Sequence, residues 1–343
     1  MHLHYLRELS DRYEIAALCD LSRTVVDRVG EAYDVERRFT DWRALLEERL
    51  DAVLVLTTGS HEPMAVAAAQ AGRHVFIEKP IALSEAEGQA IIAAGKKAGV
   101  RVMVGYMKRY DPAVEWIADE MRDLRQLRFA RSTTAEYPLK WYVAHYPIVR
   151  GTDIDAKTVA ALQADDEARV TAAIQQTDPL LRHAYRHSLL DSMIHDINLM
   201  RGLLGEPKAL RFASVAQAAI SVFLDFPQTT AAMHWVNLTD GVARYQQEFS
   251  FFYPERRATL VFPSPFLRSA PVELVLEGGS QESPRSWRTV ETLSFESAFK
   301  RELLEFYACV TENREPRTSA EDAVRDVALC QAIIRQHLAA QGL

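Results

Sequence analysis

Two stretches of this sequence gather side chains able to move protons. Glu78-Lys79-Pro80 follows the β-rich run His74-Val75-Phe76-Ile77, which itself follows a helical stretch closed by Ala71-Gly72. The end of a parallel strand faces the ligand crevice of an open α/β sheet, and the proline fixes a rigid, cis-capable turn, so Lys79 is aimed at whatever binds there. A solvated surface lysine is the plain alternative. The second stretch runs from Tyr185 to Leu199. At 3.6 residues per turn His187, Asp191, His195 and Asn198 share one stripe, while Leu190, Met193, Ile194 and Ile197 form an apolar side. Three readings stand side by side: an acid/base pair of Asp191 and His195, a metal held by His187, Asp191 and His195 at i, i+4 and i+8, or an ordinary solvent-facing stripe. A third candidate is Asp20, an acid closing the strand-like run Tyr13 to Cys19. That is where a doubly wound sheet places the carboxylate that binds a dinucleotide ribose, and its charge favours NAD over NADP. Arg23, close by, pulls the other way, and Asp20 as a simple turn or helix cap is the bland reading.

These residues need a scaffold, and the periodicity supplies one. Through residue 105 short β-rich runs alternate with helical stretches, the pattern of a parallel sheet covered by helices. Ser22 is placed to cap a helix reaching about Gly30, Asp41 to Arg49 reads as a second helix, and Asp51 to Leu56 is a near-continuous apolar strand of a sheet interior. Pro63 to Gly72 and Ser84 to Ala98 read as helices, the latter stopped by Gly99, and Arg101 to Val104 as a strand. A linking helix, Asp111 to about Leu124, leads to runs without crossover helices: 127–137, 209–215, 219–226, 229–237, 245–252, 258–262 and 272–276. These make a mostly antiparallel sheet. The expected fold is therefore α/β: a Rossmann-type doubly wound parallel sheet over residues 1–124 and an α+β domain with a large open-faced sheet over 125–343. Helical sequence at 153–205 interrupts the second domain, and two helices over 296–341 close the chain.

The glycine-rich phosphate turn of a dinucleotide site belongs roughly 20 residues before the ribose acid. That offset from Asp20 falls at Met1, and the first glycine is Gly30. His2 to Ser10 reads as the remainder of the helix such a turn would open. The first, central strand is missing from the expected sheet, so the expectation is that Met1 is an internal methionine.

Composition narrows the function classes. With 343 residues, 48% hydrophobic and 25% charged, the chain is a folded protein of about two domains. No apolar run approaches the roughly 18 residues of a membrane span. A net charge of −7 without a Lys/Arg cluster argues against nucleic acid. Cys19, Cys309 and Cys330 lie far apart with no metal spacing, which fits a reduced cytoplasm.

Taken together, Asp51-Ala52-Val53-Leu54-Val55-Leu56-Thr57-Thr58, His61, the run Ala71 to Pro80, Gly105-Tyr106-Met107-Lys108-Arg109-Tyr110-Asp111-Pro112 and Asp191-x-x-x-His195-Asp196 resemble the Gfo/Idh/MocA oxidoreductases, the family of glucose-fructose oxidoreductase and inositol dehydrogenase. The resemblance extends to Glu302-Leu303-Leu304-Glu305-Phe306 and Pro316-Arg317-Thr318-Ser319. It implies a nicotinamide-dependent dehydrogenase acting on a secondary alcohol of a sugar, polyol or cyclitol; with the charge of Asp20, NAD is the expected cofactor ahead of NADP, and no metal is expected. Lys79 matches the family's catalytic lysine, and Asp191 and His195 its substrate-side pair. Asp20, Ser22, Arg23, Thr57, Thr58, His61, Glu78 and Lys79 fall on the cofactor side, with Thr58 where proline is common. In the implied chemistry His195 takes the hydroxyl proton, Lys79 stabilises the developing alkoxide and Asp191 orients the hydroxyl or the imidazole. Arg109 and Tyr185 are further pocket candidates. Residues 140–186 form a longer insertion than simple members have. With Trp141, Tyr142, His145, Tyr146 and Arg150 it reads as a lid or as a plain surface excursion. The apolar strand Ile220 to Phe226 predicts a homodimer or homotetramer through the second domain's sheet. A catalytically silent binding protein that has lost its phosphate loop is the rival function.

Overall fold

A computed structural model of the chain describes residues 1–120, 126–138, 140–238 and 244–342. In chain order its first elements are α1 (His2–Glu8), β1 (Ala17–Cys19), α2 (Arg23–Tyr33), β2 (Arg37–Phe39), α3 (Trp42–Leu46), β3 (Ala52–Val55), α4 (Glu62–Gln70), β4 (His74–Glu78), α5 (Glu85–Ala98) and β5 (Val102–Gly105). A 3-10 turn (Met107–Tyr110) precedes α6 (Pro112–Glu120), β6 (Phe129–Glu136), α7 (Lys140–Val143), α8 (Ala156–Ile174) and α9 (Pro179–His183). A π-helical segment (Ala184–Met193) runs directly into α10 (Ile194–Leu204). Then follow β7 (Ala209–Val215), β8 (Ala219–Asp225), β9 (Thr230–Asn237), β10 (Gln246–Phe252), β11 (Arg256–Phe262), β12 (Glu273–Ser280), β13 (Ser283–Thr292), α11 (Ala298–Thr311) and α12 (Ala320–Ala340).

The chain forms two compact units that interleave along the sequence. The first comprises Met1–Gly105, His145–Gln175 and Glu302–Val327; the second comprises Tyr106–Ala144, Gln176–Arg301 and Ala328–Leu343. The boundary expected near residue 124 lies outside the described residues. Segments 145–175 and 302–327, assigned by sequence to the second domain, are grouped with the first.

In the first unit β3, β4 and β5 make a three-stranded parallel sheet, and β1 and β2 a separate parallel pair. The single doubly wound sheet expected from sequence is thus in two pieces. Val75, Phe76 and Ile77 are wholly buried, which is why β4 reads as a continuous apolar run. Helix α5 has sharp limits: the Ser84 side chain accepts from the Glu87 N–H (3.2 Å), Glu87 accepts from the Leu83 N–H (2.9 Å), and Gly99 ends the helix at φ +68°. The Val104 N–H donates to the Thr318 carbonyl and the Thr318 hydroxyl to the Val104 carbonyl (2.9 and 2.7 Å), covering the free edge of β5.

The second unit is built on an eight-stranded sheet of order β13-β12-β11-β10-β6-β9-β8-β7, antiparallel except for the β6–β9 pair. Its strands alternate: Ile220, Val222 and Leu224 of β8 are buried, while Ser221, Phe223 and Asp225 are half-exposed. Apolar side chains of the π-helical segment and α10, among them Leu189, Leu190, Met193, Ile194 and Ile197, are fully buried.

Candidate active site

In the first unit the candidate residues cluster at the carboxyl ends of the parallel strands, the rim at which open α/β sheets bind ligands. Asp20 follows β1, and its Oδ1 accepts from the Ser22 N–H (2.8 Å). Ser22 caps α2 by accepting from the Val25 N–H (3.1 Å) and donates its hydroxyl to Asp153. The other oxygen of Asp153 accepts from the Thr24 N–H (3.0 Å). The Ser22 hydroxyl, then the Thr24 N–H, holds the Asp153 carboxyl down to about 2. Arg23 is exposed and lies 3.7 Å from Asp27.

After β3, Thr57 and Thr58 lead through Gly59 (φ +87°) to His61, which is buried. Its Nε2 lies 2.7 Å from the Thr57 carbonyl and its Nδ1 2.8 Å from the Pro80 carbonyl. Carbonyl oxygens only accept, so both ring nitrogens act as donors when both bonds form. His61, expected to line the cofactor, thus stitches the turn after β3 to the turn that carries Lys79. Glu78 ends β4, and its Oε2 accepts from the Lys79 N–H (3.0 Å). The Lys79–Pro80 peptide is cis.

The insertion closes on this same rim. Besides the Asp153 contacts, Arg169 of α8 donates to Glu87 (2.6 Å) and Asp165 (2.7 Å) and approaches Glu62 (3.7 Å). Those carboxylates hold its guanidinium firmly charged. Residues 145–175 therefore form a strap pinned at the start of α2 and beside the starts of α4 and α5. Trp141, in the other unit, is exposed, and Tyr142 stacks edge-on against Tyr137 (4.7 Å).

The second unit carries Arg109, Tyr185, Asp191 and His195. The sequence stripe needs correction here, because residues 184–193 are π-helical and not α-helical. The i→i+5 pattern widens each turn, a feature frequent at functional sites. His187 and Asp191 are exposed, His195 is half-exposed, and Asn198 leaves the stripe for the interior at 1% exposure. Among the described residues His187, Asp191 and His195 do not bring their ligand atoms within 4.8 Å of one another. The His195 ring meets Tyr106 edge to face, centroids 6.2 Å apart. Tyr185 is fully buried, and Arg109 packs over Gly202, at long hydrogen-bond distance from the Asn198 carbonyl (3.4 Å).

One residue that sequence reasoning passed over anchors this helix. Asp196, wholly buried, accepts from Thr134 of β6 (2.9 Å) and Gln247 of β10 (2.6 Å), with the buried Lys108 as its cation. Burial nonetheless raises its carboxyl to about 6. Trp235 of β9 adds a bond from its indole N–H to Ser192 (3.0 Å). The signal was available: Asp196 is an acid on the apolar side of its own helix, and a buried acid requires partners.

Residues 1–106 match the family model Gfo/Idh/MocA, described as an oxidoreductase family with an NAD-binding Rossmann fold. The likeness to the Gfo/Idh/MocA oxidoreductases by family model thus rests on the first 106 residues. Over its whole length it is similar to D-apiose dehydrogenase of Paraburkholderia graminis, 26% identical across 96% of this chain and 82% of the relative. A shorter stretch is 33% identical to inositol 2-dehydrogenase of Salmonella typhimurium, over 32% of this chain and 34% of that enzyme. Its fold is shared by aldose-aldose oxidoreductase of Caulobacter crescentus, solved with glycerol, with TM-score 0.73 at 21% identity, covering 99% of this chain and 94% of that one.

The family match raises the question of whether the residues present suit a nicotinamide dinucleotide. The residue types fit its ribose, for which the Asp20 carboxylate at the end of β1 is an acceptor, and a charged donor, Lys79, follows β4. The phosphate side is different. The first glycine, Gly30, lies inside α2, where an added Cβ would strike the Arg38 side chain, so it is a packing glycine and not a phosphate-turn one. No described helix is long and apolar enough to cross a membrane.

Proposed function

We propose that this Gfo/Idh/MocA protein is an NAD-dependent dehydrogenase that oxidises a secondary alcohol of a sugar, polyol or cyclitol. The observation that carries this reading is the position of Lys79, one residue beyond β4 in a turn held by His61, inside the segment that matches the family. The names of the two dehydrogenases it resembles give the substrate class and favour catalysis over the silent binder. NAD is preferred over NADP because the donors at the start of α2, the Ser22 hydroxyl and the Thr24 N–H, are already taken by Asp153, and Asp20 adds a second negative charge.

In this reading Asp20, Ser22, Arg23, Thr57, Thr58 and Glu78 flank the cofactor, and His61 positions the turn. When bound, the nicotinamide accepts the hydride of the carbinol carbon. His195 takes the hydroxyl proton as the carbonyl forms, Lys79 offsets the negative charge developing on oxygen, and Asp191 orients the hydroxyl or the imidazole. Arg109 and Tyr185 shape the alcohol's surroundings. Lys79→Ala and His195→Ala are each expected to lower kcat by about 10²–10⁴-fold while leaving NAD affinity, read by NADH fluorescence, within a few-fold of wild type. Near-normal turnover in either variant removes that residue from the mechanism.

We assign the open sheet face, where Phe212, Phe223 and His234 stack beside one another, to a second copy in a homodimer or homotetramer, and the three free cysteines to a reducing cytoplasm. A monomer by light scattering at micromolar concentration would sink the first assignment.

A further inference from the structure

Within the first unit, three residues far apart in sequence converge. His2 is in the first turn of α1, Glu78 ends β4, and Glu302 lies in α11. His2 Nε2 is 3.3 Å from Glu78 Oε1 and 3.4 Å from Glu302 Oε1, and the ligand atoms of all three lie within 4.8 Å of one another. Phe76 and Phe306 wall the group: the His2 ring meets Phe76 edge-on at 5.4 Å, and Phe76 meets Phe306 at 5.6 Å.

A second observation makes this more than a cluster of acids. Glu302 is 0% exposed, and among the described residues neither of its carboxylate oxygens has a hydrogen-bond partner. Buried carboxylates are ordinarily satisfied by two or three donors, so a bare one aimed at an imidazole and a second carboxylate lacks a partner of positive charge.

We propose that His2, Glu78 and Glu302 form a site for one divalent transition-metal ion, of which Zn2+ is the best fit. Zn2+ binds imidazole nitrogen and carboxylate oxygen at about 2.0–2.2 Å, and two ligands at the tetrahedral angle then lie about 3.3–3.5 Å apart. The two measured contacts of His2, 3.3 and 3.4 Å, are edges of such a tetrahedron. One imidazole with two carboxylates is a ligand set that suits Zn2+ in preference to Ca2+ or Mg2+, which favour oxygen alone. Glu78, with its side chain 22% exposed, marks the way in and leaves a fourth position for water. The ion would tie α1 and α11 to the end of β4, and so fix the turn bearing Lys79.

The test uses the untagged full chain, stripped with a chelator and titrated with Zn2+ by calorimetry and with Co2+ by visible absorption. Expected are one ion per chain, the intense d–d band of four-coordinate Co2+, and a rise in Tm on Zn2+ addition. Glu302→Gln and His2→Gln should each weaken Zn2+ binding by at least about 100-fold and abolish the Co2+ band. His4→Ala, which removes a partly exposed histidine paired with Glu8 on the same helix, should change neither. Far-ultraviolet circular dichroism of the metal-free variants checks folding. Should Glu302→Gln fail to fold, His2→Gln carries the test, because it alters only the first turn of α1. Absence of one-to-one uptake by the wild type, or equal uptake by a folded His2→Gln, overturns the site.

Discussion

Two buried acids, one in each unit, meet burial in opposite ways. Asp196 has a hydroxyl donor, an amide donor and a neighbouring ammonium, drawn from β6, β10 and the 3-10 turn. Among the described residues Glu302 has no hydrogen-bond donor on either oxygen, and its neighbours are the His2 imidazole and a second carboxylate, Glu78. Both are wholly inaccessible, and burial pushes both carboxyls upward. Partners, not depth, separate them. A carboxylate surrounded by matched donors is a keystone for the elements that supply those donors, whereas one without them holds unused capacity for a cation.

The largest expected effect is on the keystone. Asp196→Ala leaves Thr134 and Gln247 without their acceptor and Lys108 without its counter-charge, and such a loss costs about 3–5 kcal/mol. Urea denaturation of the variant reads this directly. A loss below about 1 kcal/mol would show that the network does not hold the His195 helix to the sheet.

A smaller effect follows from protonation. The carboxyl of Asp196 rises from 3.8 to about 6 on folding, so between those values the folded state holds more protons than the unfolded chain. Stability from this group is therefore full below about pH 4 and is lost as pH climbs through 6. Two units correspond to about 3 kcal/mol as an upper figure. Asp111, also raised to about 6 by burial, contributes in the same direction, so the quantity to read is the difference between wild type and Asp196→Asn. Urea midpoints from pH 4 to 7 should fall more steeply for wild type. Parallel curves would mean that Lys108 keeps Asp196 ionised throughout.

The same contrast explains how much was legible in the sequence. β4 and β5 were readable because burial on both faces leaves an apolar run, and α5 because Ser84 and Gly99 mark its ends. β13 was not, since nearly every residue from Ser283 to Thr292 is exposed and no alternation records a buried face. β2 is three residues, Arg37-Arg38-Phe39, too short for any period to show. The helix bearing His195 was found, but its π-helical geometry was not, because hydrophobic spacing near four residues suits both wide and ordinary turns. At the candidate site the residues were legible by type: Lys79 by its place after a strand, His195 by its odd polarity on an apolar helix. Their supports were not. His61, Asp196 and Glu302 act through partners such as Pro80, Thr134 and Glu78, which lie 19, 62 and 224 residues away by number, and spacing says nothing of such pairs.

The smallest expected effect concerns the strap in the first unit, which combines polar pins with its own buried apolar contacts. Arg169→Ala removes the bonds to Glu87 and Asp165 but leaves the Asp153 tie to Ser22 and Thr24. Partly exposed ion pairs of this kind contribute about 0–1 kcal/mol, so global stability should hardly move. Local opening should move more. Hydrogen exchange across α8 is expected to quicken in Arg169→Ala, and further in the double variant with Asp153→Ala, while β4 and β5 keep their protection. If α8 keeps full protection in the double variant, the strap is held by Val170 and Ile174, both buried, and its polar contacts only fix its register. That outcome would move the strap to the side of Asp196, as structure held by burial with its polar groups satisfied. Faster exchange would show that the polar pins at Arg169 and Asp153 hold it down.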